Sequence, residues 1–170
     1  MKLPYVTTTQ PGITQPEPIF IQQENGDFAK PDDAIKHDNS LLFSVPSPFD
    51  AVCNNHLFEI ENMYDQFKQK GVDEIYCISV FDINIMKSWA KSLDVTKVKM
   101  LSDPTTEFTK AMAMLVSLPR LGYRSWRYAI YINSKKEIDN IWTEEGQNNL
   151  GLHDNSYIRT NPDNVINSFS

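Results

Sequence analysis

What most constrains this chain is a succession of short runs rich in β-branched and aromatic residues, separated by stretches with helical spacing. Leu41-Leu42-Phe43-Ser44-Val45 is closed by Pro46, the way a buried central strand ends. Cys53, Leu57, Ile60, Tyr64 and Phe67 then recur at offsets of three and four, which predicts one helix whose apolar face runs to a stop at Gly71. Glu74-Ile75-Tyr76-Cys77-Ile78-Ser79-Val80 suits a second central strand. Ile83, Met86, Trp89, Ala90 and Leu93 suggest a further helix, and residues 98–101 a third strand ending at Asp103-Pro104. Phe108, Ala111, Met112 and Leu115 place a helix over 107–116. Strands over 127–133 and 137–142 flank the turn Ser134-Lys135-Lys136, and Asn161-Pro162-Asp163 opens a last helix through Val165, Ile166 and Phe169. Strands alternating with helices and closing on an antiparallel pair predict an α/β sandwich with a mixed central sheet flanked by helices.

The first 40 residues read differently. Prolines at 4, 11, 16, 18 and 31 exclude long helices. Ile19-Phe20-Ile21 and Phe28 flank Asn25-Gly26, a hairpin signal, and Pro31-Asp32-Asp33-Ala34-Ile35 reads as a short helix with an aspartate cap. This arm is expected to pack on the main sheet without chemistry of its own, with His37 solvated. The whole, 1–170, is one domain's worth of chain, able to bury a core without disulfides or metal.

A net charge of −6 with no basic run argues against a nucleic-acid surface. No apolar stretch approaches the length of a membrane span, and the N-terminus lacks a signal-peptide pattern, so a cytoplasmic location is expected. The two cysteines, one at a helix start and one mid-strand, do not make a disulfide framework, in keeping with a reducing compartment.

Cys53 is the candidate for chemistry. Asp50 is a natural N-cap, which puts Cys53 in the first helical turn beside free backbone N–H groups and the positive end of the helix dipole. A thiolate is stabilised there, and the thiolate is the reactive form. The competing reading is a small buried hydrophobe, since free cysteine is among the most buried residue types. His56, three positions on, raises a Cys–His pair or a metal fragment, but no further cysteine clusters nearby to make zinc plausible, and a packing role is preferred. Cys77 is expected to be buried, and His153 to be solvated.

The segment from Pro46 through Cys53 resembles the peroxiredoxin signature Pro-x-x-x-Thr/Ser-x-x-Cys, and His56-Leu57 continues it as in the type-5 (type-II) subfamily. The resemblance extends through residues 71–80, through Val98-Lys99-Met100-Leu101, and through Arg124-Ser125-Trp126-Arg127-Tyr128-Ala129. It implies the thioredoxin-like fold, here with an N-terminal hairpin extension. It further implies a thiol-dependent peroxidase acting on hydrogen peroxide or alkyl hydroperoxides, with Cys53 as the peroxidatic nucleophile, Arg127 as its activating arginine and Pro46 as the shield of the pocket. Arg124 is a weaker candidate, better read as a surface arginine. Since no cysteine follows Cys77, the resemblance implies a one-cysteine cycle in which the Cys53 sulfenic acid is resolved by an outside thiol: glutathione, glutaredoxin or thioredoxin. No metal or organic cofactor is expected. Relatives often form homodimers through the face around the active-site loop, with Phe49 and Trp126 as contacts and core packing as the alternative for both.

Two positions depart from the family pattern. Phe81 stands where an asparagine is usual, and Asp50 where the family carries a hydroxyl. An ionised carboxylate only accepts hydrogen bonds. Two unit charges ~4 Å apart repel by ~4 kcal/mol at an effective dielectric near 20, enough to offset much of what a helix start provides. Three outcomes are open: Asp50 stays protonated as a donor, is neutralised by Arg127, or acts only as a cap. An active site that is slowed or shifted in pH is expected, against the alternative of a peroxidase-impaired redox-sensing or protein-binding module.

Overall fold

The computed structural model of the protein describes residues 1–7, 17–145 and 157–169. At its centre is β3 (Ser40–Ser44), buried along its whole length. It pairs in parallel with β4 (Glu74–Ser79) and antiparallel with β8 (Tyr128–Ile132). Beyond β4 lies β5 (Lys99–Ser102), again parallel, and beyond β8 lies β9 (Ile138–Thr143), antiparallel. The arm contributes β1 (Ile21–Gln23), which pairs antiparallel with β5, and β2 (Phe28–Ala29), which pairs with β1 across Asn25-Gly26. The seven strands run in the order β2-β1-β5-β4-β3-β8-β9. The arm's hairpin therefore extends the sheet at its edge as well as packing beside it.

Successive side chains of a strand point to opposite faces, and the core divides accordingly. Leu41, Phe43, Ile75, Cys77, Met100 and Ala129 face one side, with Leu57, Ile60, Phe67, Met86, Trp89 and Val165 of the covering helices. Leu42, Tyr76, Ile78, Leu101, Tyr128, Ile130 and Ile132 face the other, with Ile21, Ala34, Ile35 and Phe108. Burying each large apolar side chain completely contributes roughly 1.5–3 kcal/mol, so two packed faces hold the central strands in register.

The helices follow the periodicity with four corrections. The helix expected to run unbroken to Gly71 is two, α2 (Ala51–Asn62) and α3 (Tyr64–Gln69), with the break at Met63. The Met63 N–H is shared between the Glu59 and Ile60 carbonyls, which tightens the last turn, while Ile60 and Phe67 still feed the same core. Gly71, at φ 95°, ends α3 as expected. The short arm helix α1 (Pro31–Ala34) has Lys30 as its N-cap without a side-chain bond; Asp32 and Asp33 sit in the first turn, where the dipole favours them. The helix predicted over 107–116 stops early as α5 (Glu107–Ala111). Ala113 adopts φ 60°, and Leu115 enters a strand instead: β6 (Leu115–Leu118) pairs with β7 (Gly122–Ser125) in a small second sheet that the sequence analysis did not anticipate. The turn between them carries Pro119, with Arg120 and Gly122 at positive φ. As predicted, α4 (Ile83–Ser92) follows β4 and the last helix is capped by Asn161, but α6 (Pro162–Ile166) ends before Phe169, which was expected within it. His37 is exposed, yet its Nδ1 lies 3.1 Å from the Tyr76 hydroxyl. His153 lies outside the described residues.

Candidate active site

The site lies where β3 hands over to α2. Val45 completes the strand by donating to the Ile78 carbonyl, Pro46 and Pro48 are buried, and Phe49 turns the chain at φ 68°. Asp50 is the N-cap: its Oδ2 accepts from the backbone N–H of Val52 at 3.1 Å and of Cys53 at 3.3 Å. The cap is one of the three outcomes left open for Asp50, and its geometry is present here. It places Cys53 in the first turn with its sulfur turned into the core, 1% exposed.

Arg127 reaches the same place from the far side of the chain. It immediately precedes β8, is fully buried, and donates from Nη2 to Cys53 Sγ at 3.2 Å. Its Nη1 donates to Nδ1 of His56 at 2.8 Å, and its carbonyl accepts from the Glu144 N–H. A buried guanidinium is costly unless negative charge offsets it, and a Cys53 thiolate would supply that charge at hydrogen-bonding distance.

The expectation of a simply stabilised thiolate is corrected by this burial. Removal from water pushes the Cys53 thiol up; the Arg127 charge, a Ser47 backbone hydrogen bond and the Arg127 hydrogen bond oppose it, and Asp50 adds to the rise. The net direction is upward, because the helix start here is a sealed one. Cys77, in the middle of β4, is fully buried and likewise pushed up by desolvation, as a packing residue should be; both cysteines are free thiols.

His56 is buried as expected, but it does more than fill space. Its Nε2 lies 3.0 Å from the Thr160 carbonyl, which can only accept, so the proton is on Nε2 and Nδ1 offers its lone pair to Arg127. Burial, then the Arg127 charge, hold its pKa well below the ordinary histidine value, so the ring is neutral. Phe43 meets it edge-on, and Tyr157 stacks on it at 4.2 Å. The roles of Tyr157, Thr160 and Glu144 escaped the sequence analysis: the only signal in that stretch was the capped start of the last helix, which says nothing about what the preceding residues touch.

Other candidates go elsewhere. Arg124 is half-buried with its guanidinium 4.8 Å from the Phe81 ring centroid, and it donates to the Tyr123 carbonyl rather than approaching Cys53. Phe81 packs against the core, and its carbonyl accepts from the Ser102 hydroxyl. Phe49 is 52% exposed, while Trp126 is half-buried with its indole N–H on the Glu144 carbonyl. Among the described residues no group of three or more His, Cys, Asp or Glu is placed to hold a metal ion, and no helix is long and apolar enough to cross a membrane.

Comparison with known proteins gives the family. The Redoxin family model matches residues 20–156. A peroxiredoxin of Rhizobium etli is 38% identical over 138 residues, covering 79% of this chain and 76% of its own. Among solved structures, reduced Prx3 from Vibrio vulnificus in complex with hydrogen peroxide matches with a TM-score of 0.81 at 25% identity, covering 100% of this chain and 97% of its own. The 1-Cys peroxiredoxin known as Plasmodium falciparum antioxidant protein matches with a TM-score of 0.81 at 26% identity, over 97% of this chain and 94% of its own. A thioredoxin-like sheet, a buried cysteine at a capped helix start and these relatives together place the chain in the peroxiredoxin family of thiol-dependent peroxidases.

Proposed function

We propose that Cys53 is the peroxidatic cysteine of a one-cysteine cycle, with Arg127 as the group that stabilises its thiolate and the charge developing in the transition state. The observation that carries this reading is the 3.2 Å contact from Arg127 Nη2 to the sulfur of Cys53, a residue 1% exposed. The Cys53 thiol first loses its proton to solvent. The thiolate attacks the terminal oxygen of the hydroperoxide, the S–O bond forms as the O–O bond breaks, and the departing alkoxide or hydroxide takes a proton from solvent. Arg127 holds a fixed positive charge beside the atoms where negative charge is redistributed, at no cost of reorganisation. Pro46, buried at the end of β3, helps exclude water from that place.

The sulfenic acid is returned by an external thiol. Cys77 is sealed in β4, so the first thiolate comes from outside, attacks the Cys53 sulfur to form the S–S bond as the S–O bond breaks, and expels hydroxide, which takes a proton from solvent and leaves as water. A second thiolate cleaves the mixed disulfide and releases Cys53. Glutathione with glutaredoxin, or thioredoxin, is the reductant class we favour. The Vibrio vulnificus relative with hydrogen peroxide and the 1-Cys relative from Plasmodium falciparum support the substrate class and the cycle. We place the enzyme in the cytoplasm as a homodimer, with the exposed Phe49 at its interface. The inert-module reading, which Asp50 and Phe81 suggested, is not favoured: Asp50 caps α2, Phe81 packs against the core, and the relatives are peroxiredoxins.

The test is the second-order rate of Cys53 oxidation by hydrogen peroxide against pH. The reactive species is the thiolate and the thiol is pushed up, so the rate is expected to climb with pH through the neutral range, and to vanish in Cys53→Ser. A parent protein that reacts no faster than a free thiolate at every pH would overturn the assignment.

A further inference from the structure

The tail of the chain touches the site without any role assigned to it above. Residues 157–160 cross behind α2 and bring one ring, one carbonyl and a row of N–H groups to the neighbourhood of Arg127. The N–H groups of Ile158, Arg159 and Thr160 all converge on the Glu144 carboxylate, at 2.7, 2.5 and 3.4 Å for the nearer oxygen. Glu144 is itself 4% exposed, and its own N–H holds the Arg127 carbonyl at 3.2 Å. One residue thus grips both the backbone of the arginine and the strap that contacts the arginine's side-chain partner, His56.

The strap acts on Arg127 through His56. The Thr160 carbonyl fixes the proton on Nε2, which leaves Nδ1 as an acceptor aimed at Arg127 Nη1. Tyr157 closes the arrangement from outside, its ring stacked on His56 and 5.6 Å from the Arg127 guanidinium carbon. The choice of a neutral acceptor has a consequence. A carboxylate in the place of His56 would orient the guanidinium equally well, but it would also neutralise it. An imidazole held neutral fixes the direction of Arg127 and leaves its charge for the sulfur.

We propose that residues 157–160, clamped by Glu144, are part of the active site, and that His56 is the positioning residue through which they set Arg127 on the Cys53 sulfur. The proposal rests on the peroxidase reading of Cys53 and deepens it. It makes the distal tail a component of thiolate activation rather than an appendage beyond the sheet.

The experiment is a pair of measurements on full-length variants: the Cys53 thiol pKa from the pH dependence of alkylation by iodoacetamide, and the rate of oxidation by hydrogen peroxide. Besides His56, the groups among the described residues that bear on that pKa are Arg127, the Ser47 backbone, Asp50, Tyr157 and Cys77, all unchanged in the test. In His56→Leu, Arg127 loses its acceptor; the thiol is expected to rise by about one pKa unit, with an about tenfold slower peroxide reaction at pH 7. In His56→Asn the carboxamide oxygen stands near the Nδ1 position, and most of that loss is expected to be regained. Leucine and asparagine variants that lose pKa and rate alike, or a leucine variant that loses neither, would overturn the proposal. Should His56→Leu fail to fold, Glu144→Gln carries the test: a raised thiol with unchanged melting is expected, and an unchanged thiol overturns it. A parent that alkylates normally yet reacts with peroxide like a free thiol would sink the peroxidase reading instead, while the alkylation series still decides the role of His56.

Discussion

Two helices of this protein begin in the same way. α2 follows β3 and α4 follows β4, so both start from adjacent parallel strands. Asp50 caps the first by accepting from Val52 and Cys53; Asp82 caps the second by accepting from Asn84 and Ile85, at 2.8 and 3.1 Å. The cap backbones are alike, at φ −66°, ψ 139° and φ −65°, ψ 161°. Cys53 and Ile85 therefore occupy equivalent places in equivalent first turns. Yet Ile85 is 37% exposed and Cys53 is 1% exposed, with a guanidinium on its sulfur. The difference teaches that a capped helix start does not make a thiol site. On the role proposed for Cys53, what makes one is the partner delivered by a remote strand, whose charge opposes the rise that burial causes.

The comparison breaks most visibly if that partner is removed. Arg127→Met keeps much of the buried volume and takes away both the hydrogen bond and the charge. Loss of one such preorganised donor is expected to slow Cys53 oxidation by roughly 10² to 10³. Because Arg127 opposes the rise caused by burial, the thiol should move further upward as well. Stopped-flow oxidation with a parallel thermal melt checks both; a variant that folds and keeps its rate would show that the helix start alone suffices.

The converse experiment moves the cysteine instead of the arginine. In Cys53→Ser/Ile85→Cys the only accessible thiol sits at the capped start of α4, without a buried arginine. The dipole favours the thiolate by less than about 1 kcal/mol at an exposed site, so an ordinary thiol pKa and no measurable peroxide turnover are expected. Fast turnover from this transplanted thiol would undo the lesson drawn above.

Asp50 sharpens the comparison on a smaller scale. Its carboxylate is one of the influences that raise the Cys53 thiol, whereas a hydroxyl at that position keeps the cap and brings no charge. For an acid, removing a neighbouring negative charge lowers the pKa. In Asp50→Thr the pH–rate curve is therefore expected to move toward lower pH, with a several-fold gain at pH 7. No acid limb near pH 6 is expected in either protein, since His56 is held neutral well below that range.

These contrasts also mark what could be read from residues alone. Local features were legible: the Asp50 and Asn161 caps, the Asn25-Gly26 hairpin, the Gly71 stop and the strands on either side of Ser134-Lys135-Lys136 all depend on neighbours in sequence. Arg127 came only through its resemblance context, because nothing in its own neighbourhood points to Cys53. The helix predicted over 107–116 failed where apolar spacing at Met112 and Leu115 fits a helix and a strand equally; the Leu118-Pro119 turn, which lets β6 fold back on β7, decided it. Glu144, Tyr157 and Thr160 were invisible because their effect is exerted through His56, which the tail meets only once the chain has folded. Burial of Cys53 was legible only as the competing reading, and it reverses the expected direction of its pKa.

The smallest effects test whether the two caps are truly equivalent. Replacing an aspartate N-cap by alanine costs about 1 kcal/mol, and Asp82→Ala is expected to lose that much and nothing else: Cys53 oxidation should be unchanged. A loss of that size lowers Tm by about 2–4 °C in a chain of this length. Asp50→Ala should melt in the same range for the same reason, because it frees the same pair of backbone N–H groups. It also removes a charge that works against the thiolate, so its thiol pKa should fall even as stability is lost. Opposite signs for stability and thiol acidity in Asp50→Ala, with only the stability change in Asp82→Ala, would separate the cap from the chemistry. If Asp50→Ala instead left the thiol where it is, the carboxylate would be a cap alone, and the family's hydroxyl would owe its place to the substrate rather than to the cysteine.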